Sequence, residues 1–474
     1  MNDFFLTNER RNIKNLIKNL SIVLNTDIDT LSFLEEKLNS IILNNKSNTL
    51  EELLENYFSL LESEMVTLIE RRLTPALQFG IKNKYFTFIG YHGKFKAVAD
   101  SKEIDENTYF SFDSISKIVT SIITMMMIRD GMVRFDSTVN SFNSDFNMDA
   151  TIESILKFTA MIQTDKRIDN LPKEETIEIL KKVKENVLEK SKYKNYYQYN
   201  DLGYMILRLS IEDFLERLDI LLKLIDSNNL TYNNIDNKDL ITGGKINSEH
   251  ITPDTKGRGI LFPGHTGLYG NIEGLLNLYS KIFYSNTILS KEELELLLRQ
   301  PYHDPTTYTK LGNVATSKNG SPLYMAKVAG IYRKPDNIDN PNYDKMASCY
   351  FSNLTTNSAK ASAGTCGSWV MGDDLSHNNQ FGSYVGGILT NPYSYVKEGT
   401  YTGTNNIILN TTLTFNEKGV ILGYSSKLNP YKNIIARYGI LLELLTEYIK
   451  NTYREENIDD KHITYIRKLK NPNL

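Results

Sequence analysis

The chain has 474 residues and a formal net charge of −3 at pH 7, with 41% hydrophobic and 23% charged residues. This composition is typical of a soluble globular protein, and a chain of this length can bury a large core. The slight negative charge gives no reason to expect a nucleic-acid partner. The two cysteines are too few for a disulfide framework, which favours a reducing compartment.

The first residues and the overall hydropathy pattern indicate a cytoplasmic location. The N-terminus lacks the basic start and apolar stretch of a signal peptide. No uninterrupted apolar run approaches the ~20 residues that a membrane-spanning helix needs. We therefore expect a cytoplasmic protein without a membrane span.

The predicted elements change in character along the chain. Residues 1–70 carry apolar side chains at helical spacing and are predicted to form a helical N-terminal extension. Two runs, 76–81 and 85–91, are typical of paired strands. Residues 140–300 follow an almost entirely helical pattern, and short strand-like runs begin at about residue 305.

Strands near both ends of the chain, separated by a helical insert, predict an α+β fold. The simplest arrangement is one antiparallel sheet formed from both chain ends and flanked by helices, beside an all-helical subdomain. Residues 71–450 would form this main domain, with the helical insert at about 140–300. Residues 451–474 would be a C-terminal tail.

Ser114 and Lys117 form the first candidate site. They are three residues apart at the start of a predicted helix, so they lie on one face, one turn apart. There the amine can take the hydroxyl proton and turn serine into an effective nucleophile. The helix N-terminus also favours a developing oxyanion. The pattern alone is a weak indication, because serine and lysine are common.

The segment 199–204 supplies a second candidate group. A serine nucleophile without a histidine base needs another proton carrier, and the Tyr199 phenol could share a proton with Ser114 or with a leaving group. Asp201 could hydrogen-bond Lys117 and orient it. The alternative is structural, with Tyr199 packed in front of a helix that Asp201 caps.

In this order, the motifs resemble those of the penicillin-binding-protein and class C β-lactamase superfamily of serine hydrolases. The resemblance covers roughly residues 72–450. The combination is much more specific than any one segment. The matching segments are Phe112–Lys117 with the helix that follows, Asp130–Asp136, Tyr199–Gly203, Gly264–Tyr269 and Asn429-Pro430.

The resemblance implies a β-lactamase/transpeptidase-like fold and a two-step acyl-enzyme mechanism. Ser114 would be acylated, and its backbone N–H would form half of the oxyanion hole. Lys117 would be the general base or proton shuttle, and Tyr199 would be base in one step and acid in the other. Asp201 would be the hydrogen-bonding member of the second motif. No metal or organic cofactor is needed.

The family's third motif is Lys or His, then Thr or Ser, then Gly. It has an imperfect match at Lys397-Glu398-Gly399-Thr400, just before a predicted strand at 407–415. The resemblance implies that Lys397, Gly399 and Thr400 contribute to substrate or oxyanion binding. Glu398 departs from the pattern and would weaken the attraction of Lys397 for a substrate carboxylate. The alternative is that Lys397 is a solvated loop lysine.

A literal match to the third motif occurs at His265-Thr266-Gly267, but it precedes a helical stretch rather than a sheet strand. We interpret it as a tight turn, with a wall of the pocket as the lesser alternative. The six histidines of the chain show no metal-ligand spacing, so no metal site is predicted.

The expected function is hydrolysis of an ester or amide in a small molecule or peptide, through an acyl-enzyme on Ser114. A peptidase, an esterase and a β-lactamase-like enzyme all fit this description. An acyltransferase differs only in the nucleophile that releases the acyl group. A catalytically silent binding protein with the same fold is the alternative from another class.

Overall fold

The computed structural model describes about half of the chain in detail, including Lys117 of the first candidate site. The described residues are 14–15, 28–44, 49–70, 76–82, 86–94, 100–112, 116–160, 162, 164, 168, 171–185, 201–232, 240–241, 264–283, 285–298, 326–328, 331–333, 395–402, 408–415, 421–426, 441, 445, 448 and 463–469.

Helices and strands alternate unevenly along these residues. The helices with defined ends are α1 (Ile28–Leu43), α2 (Leu50–Glu70), α3 (Ser116–Arg129), α4 (Val139–Phe142), α5 (Ile152–Leu156), α6 (Lys173–Lys182), α7 (Asp201–Ser210), α8 (Phe214–Ile225), α9 (Ile272–Phe283) and α10 (Lys291–Leu298). The strands are β1 (Ala76–Lys82), β2 (Phe86–Gly93), β3 (Tyr109–Ser111), β4 (Leu230–Thr231), β5 (Leu240–Ile241), β6 (Tyr269–Gly270), β7 (Ala326–Val328), β8 (Ile331–Arg333), β9 (Tyr395–Thr402), β10 (Ile408–Phe415), β11 (Ile421–Ser426) and β12 (Ile463–Lys468).

The larger sheet has the strand order β12-β2-β1-β11-β10-β9-β8-β7. Strand β1, from the first part of the chain, pairs antiparallel with β11, from the last part, with Phe79 opposite Tyr424. The edge pair β12–β2 is parallel, with Tyr465 opposite Phe88. The sheet is therefore mixed, which corrects the expectation of a purely antiparallel sheet.

Strand β12 lies within the segment that the sequence predicts to be a tail. Its exposed residues Thr464, Ile466 and Lys468 alternate with the partly buried Tyr465 and Arg467, which is the period of a half-buried strand. This edge packs on α2. The ring centroids of Phe58 in α2 and Phe88 in β2 are 4.2 Å apart, and the ring of Tyr465 lies 5.2 Å from Phe58.

The smaller sheet has the order β4-β6-β3-β5 and lies largely in the predicted helical insert. The insert is therefore not all-helical. The β4, β5 and β6 strands have two residues each, which is too short to give a periodic pattern in sequence. Antiparallel pairing of β3 with β6 places Ser111 opposite Tyr269, so the residues that lead into α3 and into α9 lie side by side.

Helix α3 is buried on nearly every side. Its apolar residues Ile118, Val119, Ile122 and Ile123 are all at most 1% exposed. The buried hydroxyls of Ser121 and Thr124 donate one turn back along the helix, to the carbonyl oxygens of Lys117 and Thr120, so burial leaves them satisfied. The helix ends as predicted at Asp130-Gly131, where Gly131 has a φ of 72°.

Buried Gln78 in β1 is hydrogen-bonded to two segments, residues 105–108 and the start of α9. Its amide donates to the carbonyl oxygens of Asp105 and Thr108, and its side-chain oxygen accepts from the Ile272 N–H at the start of α9.

Within the described residues, no helix has the length and apolar character that crossing a membrane requires.

Candidate active site

Lys117 lies in the first turn of α3, and its side chain is completely shielded from solvent. Its Nζ is 2.6 Å from Asp201 Oδ1 and donates to the His265 carbonyl oxygen at 2.9 Å. A buried ammonium is stable only when a carboxylate and further acceptors replace its water. These two contacts therefore fix the amine at a defined point beside the start of the helix.

Asp201 is the first residue of α7, where its carboxylate is favoured by the positive end of the helix dipole. Its side chain is 41% exposed, although Lys117 is not exposed at all. The pair therefore extends from the interior towards the surface. Gly203 allows α7 to pack closely, because a Cβ there would lie 2.9 Å from Ile162 Cδ1.

The turn at 264–268 lies along the first two turns of α3. Gly264 and Gly267 have φ values of 140° and 96°, which glycine adopts readily. Leu268 is bound to the helix start twice, because its carbonyl oxygen accepts from the Phe112 N–H and its own N–H donates to Ser116 Oγ, both at 2.9 Å. Thr120 Oγ1 donates to the Gly264 carbonyl oxygen at 2.7 Å.

These contacts give His265-Thr266-Gly267 a role that the sequence motif does not state. The segment is a turn followed by β6, in agreement with the prediction of a turn. Its contribution to the Lys117 environment is the main-chain carbonyl oxygen of His265. Sequence reasoning missed this acceptor, because a backbone carbonyl has no residue signature. In the sequence, Gly264 and Gly267 indicate that a turn forms here, but not which carbonyl oxygen it presents.

The aromatic ring of Tyr204 forms the floor under the lysine. Lys117 Nζ lies 5.8 Å from the ring centroid, within the range of a cation–π interaction. The Tyr204 hydroxyl donates to the Leu156 carbonyl oxygen at 3.1 Å and lies 3.3 Å from Ser121 Oγ. Phe158 stacks on the Tyr204 ring, with a centroid distance of 5.2 Å. The floor is therefore fixed by both stacking and hydrogen bonds.

Ser116, Tyr232 and Arg208 form a second group of polar side chains next to the turn. Burial raises the pKa of the Tyr232 phenol, and the Ser116 hydroxyl and the Arg208 guanidinium oppose this in part. Burial also lowers the pKa of Arg208 to about 10, although the interaction with Tyr232 acts in the opposite direction. Arg208 remains a cation at neutral pH.

Of the other predicted site residues, Ser114 and Tyr199 lie outside the described residues. Lys397, Gly399 and Thr400 lie in β9, the strand that precedes β10 in the chain, and their backbones are opposite Leu413, Thr411 and Asn410 of β10. Strand β9 lies between β10 and β8.

Thus Lys117 and Asp201 are the two predicted site residues that the described structure brings into contact. No group of three or more His, Cys, Asp or Glu side chains in the described ranges could hold a metal ion. The arrangement offers a buried cation, a carboxylate and a backbone acceptor at the start of a helix. Such a set can hold and relay a proton.

No protein-family model matches the sequence, and no curated protein matches it in sequence. Solved structures do match. An octameric penicillin-binding protein homologue from Pyrococcus abyssi has a TM-score of 0.51 at 16% identity, over 82% of this chain and 77% of that chain. A β-lactamase/D-alanine carboxypeptidase from Pseudomonas syringae has a TM-score of 0.50 at 12% identity, over 83% and 99% of the respective chains.

A class C β-lactamase variant has a TM-score of 0.51 at 14% identity, over 84% of this chain and 99% of that chain. Identities this low indicate a shared fold rather than a shared reaction. The matches to the Pseudomonas syringae enzyme and to the class C β-lactamase variant cover 99% of those chains, and the match to the penicillin-binding protein homologue covers 77%. The chain has the fold of the serine β-lactamase and penicillin-binding-protein superfamily.

Proposed function

We propose that the protein is a serine hydrolase that forms an acyl-enzyme on Ser114. The observation that carries the proposal is the environment of Lys117, which follows Ser114 by three residues. Its amine is fully buried, paired with Asp201 and hydrogen-bonded to the His265 carbonyl oxygen. Since Lys117 follows Ser114 by three residues in sequence, the proposal uses this amine to exchange a proton with the serine hydroxyl.

In the proposed reaction, Ser114 Oγ attacks the carbonyl carbon of an ester or amide, and its proton passes to the Lys117–Tyr199 pair. The tetrahedral intermediate collapses, the C–O or C–N bond to the leaving group breaks, and Tyr199 returns the proton to that group. Water then attacks the acyl-enzyme by the reverse proton path and releases a carboxylic acid. Asp201 and the His265 carbonyl oxygen keep the amine in place throughout.

Strand β9 forms one wall of the site in this proposal, and Lys397, Gly399 and Thr400 bind the substrate or the oxyanion. Glu398 interrupts the basic third motif. We infer that the substrate is a small molecule or peptide, and that a free carboxylate is a weaker requirement than in enzymes with the full motif.

Covalent labelling tests the nucleophile. The protein is incubated with a fluorophosphonate and, separately, with a fluorescent penicillin, and its intact mass is measured. We expect one adduct on the native protein, none on Ser114→Ala, and an unchanged adduct on Ser141→Ala, a control at an exposed serine. An adduct that survives Ser114→Ala, or no adduct with either reagent, would exclude the proposal in favour of a silent binding protein.

Release of the acyl group separates hydrolase from acyltransferase. With p-nitrophenyl esters, a hydrolase turns over in water alone, whereas an acyltransferase accelerates only when an amine or alcohol is added. Tyr199→Phe is expected to slow turnover by about 10²-fold or more, the usual cost of losing an acid–base group. A near-native rate in Tyr199→Phe would remove the phenol from the mechanism.

A further inference from the structure

Arg208 is a largely buried cation that the proposed reaction does not use. It lies seven residues after Asp201 on α7, hence two turns further along the same helix face. Its guanidinium carbon is 4.4 Å from the centroid of the Phe214 ring. Its Nε is buried without a hydrogen-bond partner. Among the described residues, the only titratable side chain that interacts with it is Tyr232.

Arg217, on the next helix, shows what a fully paired arginine looks like in this protein. Its Nε donates to Asp213 at 2.7 Å, and its Nη1 donates to Asp130 at 2.9 Å. Both arginines are shielded from solvent, and this burial by itself acts to lower the pKa of each guanidinium. Arg217 has two carboxylates to offset this cost, whereas the described residues provide none for Arg208.

A guanidinium has five N–H donors and no acceptor, so it needs anions or carbonyl oxygens when it leaves water. A buried N–H without an acceptor costs free energy, and native proteins commonly satisfy such groups with a bound water or ion. Water can satisfy a donor but leaves the charge uncompensated. A small anion would accept hydrogen bonds from the guanidinium and also compensate its charge.

The surroundings of Arg208 limit the size of such an anion. A Cβ placed on Gly264 would lie 2.8 Å from Thr120 Oγ1, 3.2 Å from the Phe214 ring and 3.3 Å from Arg208 Cβ. The side of Arg208 that faces the turn is therefore closely packed. The Tyr232 hydroxyl is also shielded from solvent, and it provides an O–H donor near the guanidinium.

We propose that Arg208 and Tyr232 form a binding site for a small monovalent inorganic anion, of which chloride is the representative probe. The guanidinium supplies the charge and N–H donors, and the phenol supplies an O–H donor. The anion would brace the contact between α7, α8 and the 264–268 turn, which in turn contacts the Lys117 helix. The site is separate from acylation, so its test does not depend on the proposed hydrolase activity.

The experiment measures the thermal midpoint of the full chain as chloride replaces gluconate at constant ionic strength. The native protein is expected to show a saturable rise in Tm of about 2 °C or more, as for a ligand that binds only the folded state. Arg208→Gln should lose this response. Arg217→Gln should lower Tm but keep the response, because its arginine is already paired with carboxylates.

A second measurement keeps the proposal testable if Arg208→Gln fails to fold. Crystals of the native protein grown with bromide should give an anomalous peak within hydrogen-bonding distance of the Arg208 guanidinium. Equal Tm values in chloride and gluconate would overturn the proposal, as would a response that persists in Arg208→Gln. Absence of a bromide peak at Arg208 would also overturn it.

Discussion

Lys117 and Lys157 are both lysines whose side chains are completely shielded from solvent, and each has a carboxylate oxygen 2.6 Å from its Nζ. Both also lie near an aromatic ring, Tyr204 at 5.8 Å and Phe135 at 5.6 Å. Judged by burial and pairing alone, the two are equivalent. They differ in the origin of the partners.

Lys157 pairs with Glu153, four residues earlier, beside the short helix α5. The contact is local and requires little more than one helical turn. Lys117 pairs with Asp201 from α7 and with the carbonyl oxygen of His265 from a turn that precedes α9. Three segments far apart in sequence must meet to hold this amine. A buried ion pair is weak evidence for function, whereas a non-local one at a helix start beside a serine supports a catalytic role.

Replacement of the two lysines should give the largest difference between them. Lys117→Met is expected to slow fluorophosphonate labelling by about 10³-fold or more, because it removes one member of the Lys117–Tyr199 pair that is proposed to take the serine proton. Lys157→Met should label at a native rate. Labelling is followed by intact mass, with Tm recorded for both variants.

If Lys117→Met and Lys157→Met lose the same amount of Tm but only Lys117→Met labels slowly, the slow labelling does not result from lost stability. Equal labelling by Lys117→Met and Lys157→Met would mean that the two buried lysines are both structural. In that case the serine hydrolase proposal would lose its main support.

Replacement of the carboxylates tests whether Lys117 depends on Asp201 for orientation. Asp201→Ala should slow labelling by about 10- to 100-fold, the cost of one hydrogen bond to a charged group. Asp201→Asn keeps an acceptor oxygen and should lie between this variant and the native protein. Glu153→Ala also leaves a buried lysine without its carboxylate, and should lower Tm without slowing labelling. Faster labelling by Asp201→Ala than by Asp201→Asn would contradict an orienting role.

Much of this site could be predicted from sequence, for an identifiable reason. Lys117 and Asp201, which the structure brings into contact, belong to side-chain motifs with fixed spacing, so a linear pattern can show them. The His265 carbonyl oxygen could not be found in this way, because any residue supplies one. The turn that aims it depends on the positive φ angles of Gly264 and Gly267, which become meaningful only once the turn is seen beside α3.

The fold likewise has elements that the sequence pattern reveals and elements that it does not reveal. The helical character of 28–43 and 50–70 follows from apolar spacing that the sequence displays directly. The residues of β12, Ile463–Lys468, do not alternate between apolar and polar types, and the parallel pairing of this strand with β2 leaves no mark in the sequence. Parallel partners are set by long-range packing. The two-residue strand β6 had no detectable period, although it pairs with β3 and so places the turn beside α3.

The turn offers the smallest but most discriminating test of the comparison, because its His265 carbonyl oxygen accepts a hydrogen bond from Lys117 Nζ. Gly264→Ala forces a side chain into a φ of 140° and puts its Cβ 2.8 Å from Thr120 Oγ1. We expect a loss of about 2 kcal/mol in the free energy of unfolding. Labelling should slow by a fewfold, because the His265 carbonyl oxygen shifts away from Lys117 Nζ.

Gly131→Ala is the matched control, since Gly131 also has a positive φ of 72° but nothing lies within 4 Å of an added Cβ. It should cost about 1 kcal/mol of backbone strain and leave the labelling rate unchanged. Urea unfolding and labelling kinetics on both variants provide the two readouts. If Gly264→Ala loses stability but labels at the rate of Gly131→Ala, the turn supports the fold and Asp201 alone orients the amine.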